Sequence, residues 1–534
     1  MSDIGTNLSG ISYWSTEFAF LDRYKTTVAD GWFGKTSTGA MVYPTLDAQG
    51  YPTAIPAGVT SIMAAVQMDP VSLPTTDRYV LTYEGKGTLA LANSTIISQS
   101  DGQIVFDFKG SASATTSDSL LLYLKAIDSS DPIHDIHIVR ADQVDLYDAG
   151  QIFNPAFLQE VGTWGAVRFM DWGGTNGSQV VHWSDRATPD DASYSAANGG
   201  AGVPIEVMVA LANQTHTDMW YNIPAHADDD YVRNATQYIK DHLDPSLKLY
   251  LEYSNEVWNW GFEQTHYSQN QANLLWGNDA NHDGQYTGSE AVNGGQLIYY
   301  GYRSAQVAAI AKDVYGAQAD TRLADVLSSQ TSYTGRESYV FDGVARANAG
   351  SVARLFDSWA ITGYFGNDLS MAARKPTGST VLGWAQSGAA GLDAAFKELE
   401  FGGSVVKNSV AQQAKLYAYW ANVAGKYGLS LDAYEAGAHL VSQPYGADQK
   451  LIEDFFSRLI NDPRMAALYT RNTKAFADAG GDLFNPYVQT GPSSRNGYWG
   501  IRDSTYSQPT DRWNAYAALR TWCRSRGAGH TSTR

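Results

Sequence analysis

From about residue 150 onward, short apolar runs alternate with segments of helical periodicity, the pattern of a parallel βα architecture. The runs read AVRFMDW (166–172), DMWYNIPAHA (218–227), KLYLEYSNE (248–256), RLADVLSSQ (322–330), SWAITGYF (358–365), SLDAYEAG (430–437) and DLFNPYV (482–488). An eighth, IGTNLSGIS (4–12), lies near the start and precedes the helix-like EFAFLDRYKTT. Eight such units predict an α/β fold of the (β/α)8 TIM-barrel class. Helix signals agree: NPAFLQEVGTWG places Pro155 near a first helical position, AQQAKLYAYWANVAGKYG (411–428) ends on Gly428, and a last helix is expected from about Asp511 to Cys523.

Between the first two runs the pattern changes to period two. YVLTYE, TLALA, STIIS, QIVFDF, LLLYLKAI and DIHIVR are β-like, and Asp101-Gly102 is a hairpin signal. An all-β, sandwich-like domain inserted between barrel strands one and two is therefore expected over 31–148, with barrel at 1–30 and 149–525 and a polar tail at 526–534. Its expected role is to brace the barrel, because no aligned aromatic platform is evident in it.

Composition narrows the partners. With 37 Lys+Arg against 55 Asp+Glu, the formal charge of -18 repels phosphate backbones and anionic membranes, so no nucleic acid or membrane partner is expected. Cys523 is the single cysteine, which rules out an internal disulfide and a thiolate metal site. MSDIGTNLSG carries neither a basic segment nor an apolar core, so no signal peptide is read there; an extracellular or periplasmic site would require one already removed, and a cytoplasmic site would not. Fifteen Trp, 33 Tyr and 18 Phe supply flat apolar faces of the kind that stack on sugars.

Two carboxylates carry the candidate chemistry. Strand alternation puts Tyr250, Glu252, Ser254 and Glu256 on one inward face, with Glu256 at the C-terminal rim and Glu252 deep in the barrel as a structural partner for Arg168. Glu435 ends the seventh run in the same way, so two rim glutamates face one cavity. Hydrolysis of a glycosidic bond needs such a pair, one to protonate the leaving oxygen and one to attack the anomeric carbon or to activate water. Trp172, Trp220, Trp258, Trp260 and Trp499 sit at strand ends and are expected to include sugar-stacking groups. Phosphate-loop and dinucleotide readings fail, and neither H-E-x-x-H nor G-x-S-x-G occurs.

These motifs resemble clan A of the glycoside hydrolases, retaining (β/α)8 barrels with an acid/base after strand four and a nucleophile after strand seven. SNEVWN resembles the clan's Asn-Glu motif, which implies Asn255 as a partner of the sugar 2-hydroxyl and Glu256 as the general acid/base. YEAG similarly implies Glu435 as nucleophile, VRFMDW implies Arg168 as its support, ITGYF implies Tyr364 as its hydroxyl partner, and NGYWGIRD implies Trp499 as a floor for the sugar. His226, in WYNIPAHA, is placed with the substrate-binding residues.

A second motif lies in DANHDGQYTGSE (279–290), which fits D-x-N-x-D-G-x5-E. Asp279, Asn281, Asp283, the carbonyl of Gln285 and a bidentate Glu290 would hold a structural Ca2+ that stiffens the loop after strand four. The sequence thus points to a retaining endo-acting β-glycosidase acting on a β-linked, β-glucan-like polysaccharide or oligosaccharide. An exo-acting β-glycosidase is the alternative within the class, and a non-catalytic carbohydrate-binding protein on a degenerate barrel is the alternative outside it.

Overall fold

Runs buried on both faces form the central sheet. In the computed structural model, which describes residues 1–534 apart from 2, 29–30, 71–76, 111–117, 279–283, 375–378, 443–447 and 528–534, nine parallel segments join in one ring. The end segments, Asp3–Ile4 and Thr6–Asn7, are halves of a single strand interrupted at Gly5, so the sheet is an eight-stranded barrel. A Cβ on Gly5 would lie 2.7 Å from the Ala166 carbonyl, so the close approach of strand 1 to strand 2 depends on glycine there.

That strand is β1; β2 is Ala166–Arg168, β3 Asp218–Ile223, β4 Leu249–Tyr253, β5 Leu323–Ser328, β6 Ser358–Phe365, β7 Ser430–Ala438 and β8 Gly481–Phe484. All eight expected positions hold strands. Several stop earlier than the apolar runs do, and Pro224 after β3 and Pro486 after β8 fall where pairing ends, since proline offers no N–H to the ladder. Every residue of β4 and β5 is buried, as parallel strands covered by helices require. One apolar cluster runs through the barrel and its helical layer.

The helix expected directly after β1 does not form. Residues 17–27 contain only a 3-10 turn at Arg23–Thr26, and the chain before it runs extended, with Leu21 bonded to the Ile152 carbonyl and Phe20 bridged to Phe153. The helix that completes the first βα unit is Pro155–Val161, capped by the Asn154 side chain and reached only after the insertion. The expected helix near 411–428 spans Val410–Lys426, and the last helix spans Asp511–Gly527.

The insertion consists mainly of two antiparallel sheets. One orders Ile62–Met68, Asp118–Ile127 and Gly87–Ala92; the other orders His134–Arg140, Arg78–Glu84, Gln103–Phe108 and Ser94–Ser100. Inward residues of both, among them Val66, Leu122, Leu81 and Phe106, share one apolar cluster separate from that of the barrel. Asp69 locks the two parts together: it accepts from Arg23 (2.7 Å), from Tyr79 of the insertion (2.9 Å) and from Tyr506 beyond β8 (2.8 Å). All three partners are buried or partly buried, so the insertion and the barrel share one hydrogen-bonded junction.

Candidate active site

Two local irregularities aim the carboxylates. β4 ends at Tyr253, and the chain then turns through Ser254 (φ 60°) and Glu256 (φ 42°), both in the left-handed region that residues other than glycine seldom adopt. Glu256 therefore enters the mouth from a strained turn, not by continued strand alternation. On β7 the register with β6 steps from Ile361–Ala433 to Thr362–Glu435, leaving Tyr434 as an extra residue. This bulge lets consecutive side chains, Tyr434 and Glu435, line the same cavity, which regular pleating forbids.

The cavity measures about 550 Å3 and lies at the C-terminal ends of the barrel strands, with both glutamates in its wall. Beneath it sits Arg168, fully buried. Its Nη1 donates to Glu435 Oε1 (2.9 Å) and Asn7 Oδ1 (3.2 Å), and its Nη2 donates to Glu252 Oε2 (3.0 Å) and Asn255 Oδ1 (2.9 Å). The planar fork thus spans two carboxylates that a single ammonium could not bridge in the same way. Glu252 is a structural anchor, as expected: it also accepts from Trp220 Nε1 (2.9 Å), Asn222 Nδ2 (2.8 Å) and Ser328 Oγ (2.7 Å).

The second oxygen of Glu435 accepts from the Tyr364 hydroxyl at 2.9 Å. Among the described residues Glu256 has neutral hydrogen-bond partners, the Tyr434 hydroxyl on Oε1 (2.9 Å) and Asn259 Nδ2 on Oε2 (3.2 Å). Burial raises both carboxyls above the ordinary glutamate range. Glu435 is pushed up to about 8 by burial against the lowering effect of Arg168, with the Glu256 charge adding to the rise. The two titrate as a pair, and the pair keeps a proton through the neutral range. Arg168 favours the charged form of both carboxyls and weighs more on Glu435, to which it is bonded directly.

Among the expected site residues, Glu256, Glu435, Asn255, Tyr364, Trp258 and Trp499 all line this cavity, and Arg168 supports it from below. Trp260, half exposed, lines it as well. Three expectations are corrected. Trp172 is fully buried against Phe157 and Phe20, a core group between barrel and helix. Trp220 is fully buried inside the barrel, stacked on Tyr250 and bonded to Glu252, so it reaches no sugar. His226 faces a different depression, stacked on Tyr267 at 3.9 Å and 3.2 Å from a Glu263 oxygen.

Of the five expected calcium ligands, Asp279, Asn281 and Asp283 lie outside the described residues. Gln285 is exposed and Glu290 half-buried, and these two alone make no donor set.

Several site residues escaped the sequence reading. Tyr434 was hidden because alternation turns a neighbour of Glu435 away from the cavity, and only the bulge reverses that. Asn7 and Asn259 are lone amides with no motif of their own. Asn176 accepts from Asn255 (3.1 Å) and Gln264 (2.6 Å), fixing the Asn255 amide from the β2 loop. His439 lines the cavity edge-on to Tyr364 and Trp499, and burial holds its imidazole below the ordinary value and hence neutral.

Fold and site together define a (β/α)8 barrel with a glutamate pair at its mouth, Glu435 on β7 buried and Glu256 after β4 half-buried. No family model and no curated protein sequence matches the chain. Among solved structures it is similar to fungal β-1,4-galactanases (12% identity, TM-score 0.34, covering 71% of this chain and 97% of that one). It is similar also to a broad-specificity endoglucanase from Clostridium acetobutylicum (12%, TM-score 0.35, 69% and 90%) and to a β-glucosidase from the fungus Humicola insolens (11%, TM-score 0.37, 71% and 87%). At these identities and TM-scores the function has to be read from the site itself.

Proposed function

We propose that this protein is a retaining endo-acting β-glycosidase that cleaves a β-linked, β-glucan-like polysaccharide by double displacement. The observation that carries the reading is the asymmetry of the pair: Glu435 is held by a buried cation and a phenol, whereas the donors to Glu256 among the described residues are neutral. Such a setting separates a charged nucleophile from a protonated acid within one cavity.

In the first step a Glu435 oxygen attacks the anomeric carbon while Glu256 gives its proton to the departing glycosidic oxygen. Positive charge building on the ring is met by the carboxylate, and Tyr364 and Arg168 keep that carboxylate oriented. In the second step Glu256, now ionised, takes a proton from water, which displaces Glu435 from the same carbon and restores the original configuration. Exposed Trp260, with Trp258 and Trp499, offers ring faces along the cavity wall. Endo action is favoured because the cavity adjoins a second one at Asn176, leaving room for a chain to run past the carboxylates.

The loop after the helix Glu263–Trp276 is proposed to hold a structural calcium ion through the D-x-N-x-D-G-x5-E pattern, with no part in the chemistry. Glu435→Gln tests the main reading: turnover of a soluble β-glucan should fall by about four orders of magnitude or more while retardation in a β-glucan gel persists. Turnover within tenfold of wild type would remove Glu435 from its role.

A further inference from the structure

The cavity holding the carboxylates does not end at its rim. At Asn176 it meets a second cavity of about 330 Å3, lined by Trp14 from the loop after β1 and by Asp171 from the loop after β2. Asp171 also accepts from the hydroxyl of Tyr487, a residue of the main cavity, so the two walls are joined twice. A third cavity of about 660 Å3 follows, in which Tyr13 and Asn198, chain neighbours of Trp14 and Ala197 in the second, face Phe33, Met41 and Tyr43 of the inserted domain.

Large apolar side chains are left in water along this path. Trp14 is 53%, Tyr43 56% and Met41 48% exposed. Trp14 stands edge-on to Tyr13, their ring centroids 4.7 Å apart at 85°, which limits the orientations open to the indole. Exposed apolar groups gathered in one trough mark a binding surface rather than chance. The net charge of -18 opposes a polyanion, and a row of cavities linked to the carboxylate cavity through Asn176 and through the neighbouring residues Tyr13-Trp14 and Ala197-Asn198 fits one occupant, the chain that is cut there. A neutral β-linked glycan has the matching chemistry: apolar ring faces for Trp14 and Tyr43, and hydroxyls along its edges for Asn176 and Asn198.

We infer that the inserted β-domain and the loop after β1 form an extended glycan-binding trough, in which Trp14, Tyr13 and Tyr43 hold sugar units remote from the cleaved bond. This rests on the glycosidase reading above and gives the insertion a role in selecting long chains, in addition to bracing. Binding energy gathered on remote units can be used at the reacting centre, so its loss is felt only by substrates long enough to reach the trough.

The test uses the full-length enzyme and two variants, Trp14→Ala and Tyr43→Ala, alone and combined; both side chains are more than half exposed, so folding is spared. Wild type is first screened on soluble β-glucan, xylan, mannan and galactan, then on the shortest oligosaccharide of the preferred polymer that it cuts. The combined variant should lose about tenfold or more in kcat/KM on the polymer and stay within about twofold on the short substrate. Equal loss on both, or none on the polymer, would overturn the trough while leaving the glycosidase reading intact. A wild-type enzyme that cuts none of the four polymers and no derived oligosaccharide would instead overturn the underlying reading, and the trough with it.

Discussion

Replacing Arg168 with methionine removes the one group that holds both Glu252 and Glu435, and its consequences can be worked from the contacts. The guanidinium is fully buried and donates to Glu435, Glu252, Asn7 and Asn255 at 2.9–3.2 Å. Methionine fills much of the volume but leaves two buried carboxylates without their cation, a change that costs about 3–5 kcal/mol when a buried pair loses one partner. In urea the unfolding midpoint should fall while the slope of the transition is unchanged. Activity should suffer for a separate reason. Burial already pushes Glu435 to about 8, and Arg168 is the largest influence opposing that rise. Without it nothing draws the charge of the glutamate pair onto Glu435, the proton the pair shares stays there rather than on Glu256, and kcat/KM should drop at least about hundredfold, equivalent to about 2.7 kcal/mol of transition-state stabilisation. Arg168→Lys keeps a charge but loses the fork, so it should recover part of the stability and less of the activity. The reasoning is refuted if Arg168→Met unfolds at the wild-type urea concentration and retains kcat/KM within about threefold, or if Arg168→Lys is indistinguishable from wild type in both.

Further outcomes follow from the same geometry. On the alkaline side, kcat/KM should fall with a midpoint near 8, because above it the glutamate pair is doubly ionised and no proton remains for the leaving oxygen. The linked stability has a definite sign: a carboxyl raised by burial from 4.5 to about 8 contributes fully below its unfolded value and is lost as the pH rises toward 8, so the wild-type Tm should decline across that window and Glu435→Gln should flatten the decline. Trp220→Phe should cost about 1–3 kcal/mol of stability through a cavity and a lost bond to Glu252, with KM for an oligosaccharide unchanged; a raised KM at full stability would return Trp220 to the substrate-binding surface. Removal of metal with EDTA should lower Tm, and added Ca2+ should restore it; an unchanged Tm would refute the calcium loop.

Much of this molecule was readable from its chain because parallel strands covered on both faces need continuous apolar runs, and such runs stand out between amphipathic helices. Glu256 and Glu435 stood out in a related way, as carboxylates at the ends of buried strands, where charge has few structural uses, whereas Arg168 and Tyr364 beside Glu435 were implied only by the resemblance to clan A. What stayed hidden depended on departures from regularity. The bulge at Tyr434 and the left-handed turn at Ser254 and Glu256 depend on tertiary packing, and no local propensity announces them. Trp172 and Trp220 misled because a tryptophan at a strand end looks alike whether it turns toward solvent or inward; the buried partners that decide it, Phe157 and Glu252, are remote in sequence. The missing helix after β1 has a similar cause, since Arg23 gains more from buried Asp69 in the insertion than an isolated helix would offer.

The most direct measurement is the configuration of the sugar first released, followed by proton NMR on a β-linked oligosaccharide before mutarotation scrambles it. A Glu435 that attacks carbon itself must give the β-anomer first, through two successive inversions. If the α-anomer accumulates first, water rather than Glu435 meets the anomeric carbon, and the roles assigned to the two glutamates cannot stand.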